Sequence, residues 1–415
     1  MIETLRSVLQ FKTFERDPVE RRLAKAANVE DLRRIAQRRL PGGVFDYIDG
    51  AAEDEITLER NSRGFRDIEF LPRVLRDVSD IDTSTTVLGQ PVPLPLLLAP
   101  TGFSRIADPA GELAVCRAAA RAGLPYTLST MATRSLEEVE AAQQDVRVGG
   151  DGKPVEQPRR WFQVYVWKDR GLVKELLDRA RAAGYEAIMI TVDTAVLGRR
   201  ERDVRRGFTL PPKIGLDTII DGAIHPSWTW AFVRSEPIMF ANVVGSGTDD
   251  GSSAVSLAQH VNEQFDQSLS WDDIEWFQAQ WDGPVIVKGV QTVADAEIAA
   301  GMGVAAIALS NHGGRQLDGA PAPIELVAPV AQAVGGAVEI YCDGGVRRGS
   351  DIVKAVALGA TACMIGRAYF YALAAGGERG VDWVLDFLDA GTRQAMALTG
   401  AQRLGDLGPE LVRWR

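Results

Sequence analysis

The sequence predicts an α/β protein built on a (β/α)8 (TIM) barrel, with an N-terminal helical extension and a long insertion after the fourth strand. Eight short apolar runs alternate with Ala-rich helical stretches, and eight is the number of parallel strands that such a barrel requires. The predicted strands are Leu94–Ala99, Leu124–Leu128, Trp161–Val166, Ala187–Val192, Pro284–Val287, Ala305–Leu309, Val338–Tyr341 and Ala362–Ile365. The residues at or near their carboxyl ends are polar or glycine, namely Thr101, Ser129, Gln163, Thr191, Lys288, Ser310, Asp343 and Gly366.

The spacing of these end residues locates the insertion. The step from Thr191 to Lys288 is 97 residues, against 28 for the preceding step, and the difference of 69 residues predicts an insertion at about residues 201–272. We therefore divide the chain into an N-terminal helical segment, 1–90, that packs on the barrel, and a barrel domain, 91–415.

The N-terminal segment contains one strongly amphipathic helix. Leu32, Ile35 and Leu40 recur at helical spacing between residues 29 and 40, and Asn28 is placed to cap this helix. A second short helix is expected to begin near Gly43.

A doubly wound open sheet is the alternative fold, since it would also bind ligands at the carboxyl ends of its strands. Such a sheet ordinarily has a GxGxxG turn after its first strand, and the turn at residues 100–103 lacks this fingerprint. The sequence therefore favours the barrel over the open sheet and argues against a nicotinamide dinucleotide cofactor.

Composition excludes several classes of protein. The 415 residues are 46% hydrophobic and 25% charged, with a net charge of −10, which is typical of a soluble globular protein and unfavourable for nucleic-acid binding. Cys116, Cys342 and Cys363 lie far apart, so neither disulfides nor a metal site is expected. No secretion signal or spanning apolar segment is evident, and we expect a cytoplasmic protein.

His312 is the candidate general base among three histidines. It follows the sixth strand within the run Ser310–Asp318, where two glycines allow close backbone approach and Arg315 offers a planar fork for a carboxylate. His225 and His260 lie in the insertion and are expected at the surface. Asp193, after the fourth strand, is placed to orient a histidine.

Two glycine turns near the carboxyl ends of the last two strands indicate an anion site. The stretch 343–349 and the dipeptide Gly366–Arg367 combine exposed backbone N–H groups with arginines, where barrels commonly bind phosphate. A phosphate-bearing cofactor is therefore predicted. Lys288 could form a Schiff base with pyridoxal phosphate or place positive charge beside a flavin, and composition does not separate these alternatives.

Together these motifs resemble the family of FMN-dependent α-hydroxy-acid dehydrogenases and oxidases, most closely its quinone-dependent L-lactate dehydrogenases. The similarity extends from Phe45–Tyr47 to Ala395–Gly400, and the run Ser310–Asp318 is highly specific. At Met131 several relatives have an aromatic residue, and residues 144–158 look like an added surface loop.

The resemblance implies a role for each site residue. Substrate carboxylate would be bound by Tyr47, Arg200 and Arg315, and substrate hydroxyl by Tyr165, with His312 as the base and Asp193 behind it. FMN would be bound by Pro100, Thr101, Gly102, Ser129, Gln163, Thr191, Lys288, Ser310, Asp343, Gly344, Arg347, Gly366 and Arg367.

The activity that the resemblance implies is oxidation of an L-2-hydroxy acid, with L-lactate to pyruvate expected. Electrons would pass to a quinone-type acceptor in a homotetramer. An oxidase that uses O₂ is the alternative, as is an FMN barrel with unrelated non-redox chemistry, which would not need Tyr165, Asp193, His312 and Arg315.

The insertion is rich in aromatic residues at 224–233 and 237–240. If exposed, this stretch would suit a partner or a membrane surface, and relatives that deliver electrons to membrane quinone use this region for attachment. Alternatively it forms a lid over the barrel or a subunit interface. Peripheral attachment to the inner face of the cell membrane is the hypothesis to test.

Overall fold

Eight parallel strands form a closed barrel, as the sequence predicts. The computed structural model describes residues 15–148, 153–154, 158–206, 215–243 and 265–415. Numbered in chain order, the barrel strands β1–β8 are Leu96–Leu98, Tyr126–Ser129, Arg160–Tyr165, Ala187–Thr191, Val285–Val290, Ala306–Ser310, Glu339–Asp343 and Ala362–Ile365. Each strand pairs with its neighbours in the chain, and β8 pairs with β1 to close the barrel. The fold class and the position of every strand are confirmed.

Helices surround this barrel. Those of the N-terminal segment are Pro18–Leu23, Val29–Arg39, Gly42–Asp49 and Ile56–Arg66. Those of the barrel and its insertion are Gly111–Arg121, Leu136–Gln144, Arg170–Ala182, Glu201–Arg205, Leu216–Ile224, Pro226–Arg234, Asp272–Gln280, Val293–Gly301, Pro323–Val334, Gly349–Ala357, Arg367–Gly376 and Glu378–Thr399. Short antiparallel pairs join Ile68–Phe70 to Val412–Trp414 and Thr85–Val87 to Gln90–Val92.

The interior of the barrel explains why the site residues point inward. Trp161, Met189 and Ile286 belong to a buried cluster inside the barrel, whereas the residues next to them in the chain belong to the outer layer. Since side chains alternate along a strand, residues two positions further on also face inward. Gln163, Thr191 and Lys288 occupy those positions, at the carboxyl end.

The opposite end of the barrel is closed. Val87 and Val92 of the short hairpin are buried in the interior cluster, and Trp161 stacks on Tyr341 with ring centroids 6.0 Å apart. Leu88 N–H donates to Glu339 Oε1 at 2.8 Å, which ties the hairpin to β7. The open carboxyl end is therefore the mouth at which a ligand enters.

The N-terminal segment brings an additional helix to this mouth. Asn28 accepts a hydrogen bond from Asp31 N–H at 3.0 Å and caps helix Val29–Arg39, as its sequence predicts. That helix packs against helix Arg367–Gly376, which follows β8. The next helix, Gly42–Asp49, lies over the carboxyl ends of the strands and presents Tyr47.

The described residues of the insertion after β4 include the helices Glu201–Arg205, Leu216–Ile224 and Pro226–Arg234, and hydrogen bonds connect residues of this region to the loop after β1. Trp228 Nε1 donates to Ile106 O at 2.7 Å, and the Arg105 guanidinium donates to Glu236 O at 2.6 Å. His225 is not at the surface as expected: it is half-buried and bonds Asp221 O at 2.8 Å through Nδ1. His260 and part of the loop at 144–158 lie outside the described residues.

Across the described ranges, the structure contains no helix with the length and apolar character needed to cross a bilayer.

Candidate active site

A deep cleft opens at the carboxyl ends of the barrel strands. The volume of the cleft, including the solvent-filled space at its open mouth, is about 1310 Å³. This volume is sufficient for a cofactor together with a small substrate. Of the predicted site residues, seventeen line this one cleft: Tyr47, Pro100, Thr101, Gly102, Ser129, Gln163, Tyr165, Thr191, Arg200, Lys288, His312, Arg315, Asp343, Gly344, Arg347, Gly366 and Arg367. The other two, Asp193 and Ser310, contact residues of that lining.

The floor of the cleft is a chain of hydrogen bonds between neighbouring strands. On one side, Ser129 Oγ donates to Gln163 Oε1 and Gln163 Nε2 donates to Thr191 Oγ1, both at 2.9 Å. The parallel register places Ser129 opposite Gln163, and Thr191 opposite Lys288. The floor therefore offers a fixed set of donors and acceptors to a polar ring system.

On the other side of the floor, Lys288 Nζ donates to Ser310 Oγ at 3.0 Å and lies 3.1 Å from Asp343 Oδ2. Burial opposes the charge on Lys288, but the negative charges of Asp343 and Asp193 outweigh it and raise the pKa of the ammonium. Lys288 is thus a fixed buried cation. This charge state suits stabilisation of negative charge on a bound ring.

His312 and Asp193 form a hydrogen-bonded pair beside the floor. His312 Nδ1 lies 3.0 Å from Asp193 Oδ1, and the carboxylate is 2% exposed. Burial disfavours the carboxylate, yet the hydrogen bond from His312 and the charge of Lys288 lower the pKa of Asp193, which is therefore ionised at neutral pH. An ionised carboxylate only accepts hydrogen bonds, so Nδ1 carries the proton and Nε2 is the basic nitrogen.

The protonation state of His312 suits a general base. Burial lowers the pKa of the imidazole below its usual value of 6.5, although the Asp193 charge partly offsets this effect. His312 is consequently neutral at pH 7 and able to accept a proton, and Asp193 is placed to stabilise the imidazolium that results.

The backbone at His312 is held in an uncommon conformation. Its φ is 57°, in the left-handed region that few non-glycine residues adopt, and Gly313 and Gly314 continue the turn with φ of 67° and 78°. A Cβ at position 314 would lie 2.8 Å from Leu58 N, so glycine is required for the turn to approach helix Ile56–Arg66. Strain of this kind clusters at functional sites.

A second glycine makes room for Asp193. Strand β5 has an irregular register between Lys288 and Val290, and Gly289 between them has a φ of 109°. A Cβ at this position would lie 2.8 Å from Asp193 Cβ. Glycine at 289 therefore allows β5 to support the carboxylate that orients His312.

Two half-buried arginines in the cleft, Arg200 and Arg315, have no carboxylate hydrogen-bond partner in the part of the chain that the structure describes. Arg315 Nη1 donates to the carbonyl oxygens of Tyr47 and Gly50 at 2.6 and 3.2 Å, and its guanidinium lies 5.0 Å from the Tyr47 ring centroid. Burial and then the charge of Arg200 lower the pKa of Arg315 to about 9. Among the described residues, the buried Arg200 Nε has no hydrogen-bond partner. This part of the cleft is therefore suited to an anion.

A second anion site lies after β7 and β8. Gly344 has a φ of 118°, and Arg347 follows it at the mouth of the cleft. Gly366 immediately precedes helix Arg367–Gly376, whose N-terminal N–H groups face the same region. The Arg367 guanidinium donates to the carbonyl oxygens of Ile48, Gly50 and Gly313 and to no carboxylate of the described residues. Exposed backbone donors with cations beside them fit a phosphate group.

Sequence reasoning missed several apolar side chains that line the cleft, among them Phe240 and Phe265. Phe240 comes from the insertion and lies 5.0 Å from Phe103 between ring centroids, and Phe265 lies 5.1 Å from the Tyr165 ring. Both are buried. Phe240 lies in an aromatic stretch that sequence analysis had noted, but no residue spacing linked that stretch to the strand ends.

Comparison with known proteins agrees with this geometry. The protein named "Putative L-lactate dehydrogenase" of Mycobacterium tuberculosis is 44% identical over 412 residues, 99% of this chain and 95% of that relative. L-lactate oxidase of a Nostoc species is 41% identical over 385 residues, 93% of this chain and 97% of the relative.

Among solved structures, the monotopic membrane protein (S)-mandelate dehydrogenase superposes with a TM-score of 0.88 and 38% identity, covering 94% of this chain and all of that one. The family described as FMN-dependent dehydrogenase matches residues 36–414. The chain therefore belongs to this family of FMN-dependent enzymes that oxidise 2-hydroxy acids.

Proposed function

We propose that this protein oxidises L-lactate to pyruvate and passes the electrons to a quinone-type acceptor. The observation that supports this most directly is the combination of a neutral histidine, His312, with two half-buried guanidinium groups, Arg200 and Arg315, that have no carboxylate hydrogen-bond partner among the described residues. A 2-hydroxy acid supplies what these groups lack, a carboxylate for the cations and a proton for the base. Two of the relatives above have lactate in their names, which supports lactate as the substrate.

We assign FMN to the polar floor and the second anion site. Its ring would contact Ser129, Gln163, Thr191 and Lys288, with Ser310 behind Lys288, and the turn of Pro100, Thr101 and Gly102. The ribityl phosphate of FMN would be held by Asp343, Gly344, Arg347, Gly366 and Arg367. FMN, when bound, accepts two electrons from the substrate.

The protein's own residues would orient the substrate and move its proton. Tyr47, Arg200 and Arg315 would hold the carboxylate, and Tyr165 would bond the α-hydroxyl. Burial raises the pKa of Tyr165, so its hydroxyl stays protonated and able to donate. His312 Nε2 would then accept a proton as the α-carbon is oxidised, while Lys288 would offset negative charge on the cofactor.

Anaerobic mixing of the FMN-loaded enzyme with L-lactate, glycolate and L-mandelate tests this proposal. We expect L-lactate to bleach the flavin absorbance fastest, and a soluble quinone to restore it faster than air. Rapid recovery in air would instead identify an oxidase. If none of the three acids bleached the flavin, the proposed reaction would be wrong.

Replacing Arg315 by lysine is expected to weaken substrate binding more than turnover. Lysine keeps the charge but loses the planar fork, and a lost charge-assisted hydrogen bond raises KM by about tenfold to a hundredfold. Steady-state kinetics would measure this. Arg393, which pairs with Asp389 on the exposed face of the last helix, provides the matched control as Arg393→Lys. An unchanged KM in Arg315→Lys would remove Arg315 from the carboxylate site.

We also propose peripheral membrane attachment through one face of the insertion. Here Trp228 faces the barrel, but helices Leu216–Ile224 and Pro226–Arg234 expose five large apolar side chains, each more than half accessible: Ile219, Ile220, Ile224, Trp230 and Val233. A patch of this kind suits a lipid surface. The solved relative described as a monotopic membrane protein supports the same interpretation.

Vesicle sedimentation tests this attachment. Replacing Ile220 and Trp230 together by serine should weaken binding to phosphatidylglycerol–phosphatidylcholine vesicles by at least about a hundredfold, because two apolar side chains would no longer be buried in lipid. Ile298→Ser, at an exposed position on a barrel helix, is the control. Equal sedimentation of both variants and the parent would contradict this role.

A further inference from the structure

Gln316 belongs to the run Ser310–Asp318, but none of the roles above uses it. Gln316 immediately follows Arg315 in the chain and is 9% exposed. The loop that follows β6 contains His312 and Arg315, and the loop that follows β4 contains Asp193 and Arg200. Substrate binding and proton transfer thus depend on how these two loops are placed relative to each other.

The amide of Gln316 bonds the β4 loop at three points. Nε2 donates to Asp193 O at 2.7 Å and to Val196 O at 2.9 Å, and Oε1 accepts from Gly198 N–H at 3.2 Å. Both N–H donors and the carbonyl are therefore used. Removing this side chain would leave the carbonyl groups of Asp193 and Val196 and the N–H of Gly198 without these bonds.

The two loops also touch backbone to backbone at Gly198. A Cβ there would lie 2.3 Å from Arg315 O and 2.5 Å from Gln316 O. The contact is close enough that only glycine fits. The two loops are therefore in direct backbone contact at Gly198, and the Gln316 amide bonds the N–H of the same residue.

This contact is maintained against charge repulsion. Arg200 and Arg315, one on each loop, repel each other, and Arg315 gives its hydrogen bonds to backbone carbonyls. The His312–Asp193 hydrogen bond is the other side-chain bond described here between the loops. The carboxylate of Asp203, on the helix after the β4 loop, interacts electrostatically with both arginines, and the Gln316 amide adds a connection that does not depend on charge.

We propose that Gln316 is a positioning residue that fixes the spacing of Arg200 and Arg315 and the contact between Asp193 and His312. It would not touch the substrate. It would instead set the separation of the two guanidinium groups so that one substrate carboxylate contacts both. Without the hydrogen bonds of Gln316, we expect the two loops not to maintain this separation. This inference rests on the proposed binding of a carboxylate by these arginines.

The variant Gln316→Leu tests this, because leucine fills much of the same space and makes no hydrogen bond. We expect kcat/KM for L-lactate to fall by about a hundredfold, as displacements of about 1 Å can cost. We also expect weaker binding of pyruvate, a product that cannot be oxidised further, to the oxidised FMN-loaded enzyme, followed by the flavin absorbance change. Gln316→Glu, which keeps the acceptor and loses both donors, should show the same defects.

Gln143→Leu is the matched control. Gln143 is also buried, donates to Cys116 O at 3.3 Å and accepts from Arg160 at 3.2 Å, within the helical layer. Both leucine variants should lower Tm, but only Gln316→Leu should change KM and pyruvate affinity. Equal kinetics in the two variants would overturn the positioning role of Gln316 and leave the proposed function standing. Absence of lactate oxidation and pyruvate binding in the parent enzyme would overturn the proposed function as well.

Discussion

Replacing His312 by alanine is expected to yield an enzyme that retains FMN but reduces it at least about a thousandfold more slowly with L-lactate, because the group that accepts the proton is gone. The effect should appear in kcat, since Arg200 and Arg315, the residues proposed to bind the carboxylate, remain in place. Stopped-flow absorbance under anaerobic conditions measures this rate directly, and flavin content per chain establishes that the cofactor site is intact.

The left-handed backbone at His312 calls for a second variant. Asparagine tolerates positive φ better than alanine, so His312→Asn separates loss of the base from strain in the turn. Both variants should be equally slow. His225→Ala is the control, since His225 bonds Asp221 in the insertion and does not line the cleft. A parental rate in either His312 variant would mean that another group accepts the proton.

The barrel could be predicted because each strand leaves a local signal. A buried parallel strand requires a short continuous apolar run, and its carboxyl end requires a turn, so the eight runs and their end residues were visible without tertiary information. The same reasoning placed Ser129, Gln163, Thr191 and Lys288 together, since parallel strands end at one edge. Their hydrogen bonds across the floor follow from the register.

Contacts between loops left no such signal. Gln316 and Gly198 are 118 positions apart, and no periodicity links them. The roles of Gly289 and Gly314 depend on atoms that approach from the loop after β4 and from helix Ile56–Arg66, and a single sequence does not place these atoms. The predicted roles of the site residues and the predicted homotetramer stay predictions.

The described part of the insertion has both inward-facing and exposed apolar side chains, and the two roles that its sequence left open stay predictions. Trp228 and Phe240 pack inward, one against Ile106 and the other into the cleft, whereas Trp230 and Val233 are exposed. Composition could not separate these outcomes, because aromatic residues suit both a lid and an exposed patch. Only the positions of the helices decide which side chains face the barrel.

The pH dependence of the enzyme should report on the His312–Asp193 pair. The base must be neutral in the free enzyme, and burial lowers the pKa of His312 below 6.5. We therefore expect kcat/KM to be constant near neutral pH and to fall only as the pH drops through this lowered pKa. An acid limb centred above 6.5 would contradict this assignment.

The variant Asp193→Asn should slow the reaction and should also shift the pH at which kcat/KM falls on the acid side. Asparagine no longer selects the tautomer with the proton on Nδ1 and does not stabilise the imidazolium, and the corresponding change in a catalytic triad costs about 10⁴-fold. Because the Asp193 charge raises the pKa of His312, its removal should shift the acid limb to lower pH. Asp295→Asn, at an exposed helix cap, is the control. A parental rate, or a limb displaced to higher pH, would mean that Asp193 does not act through His312.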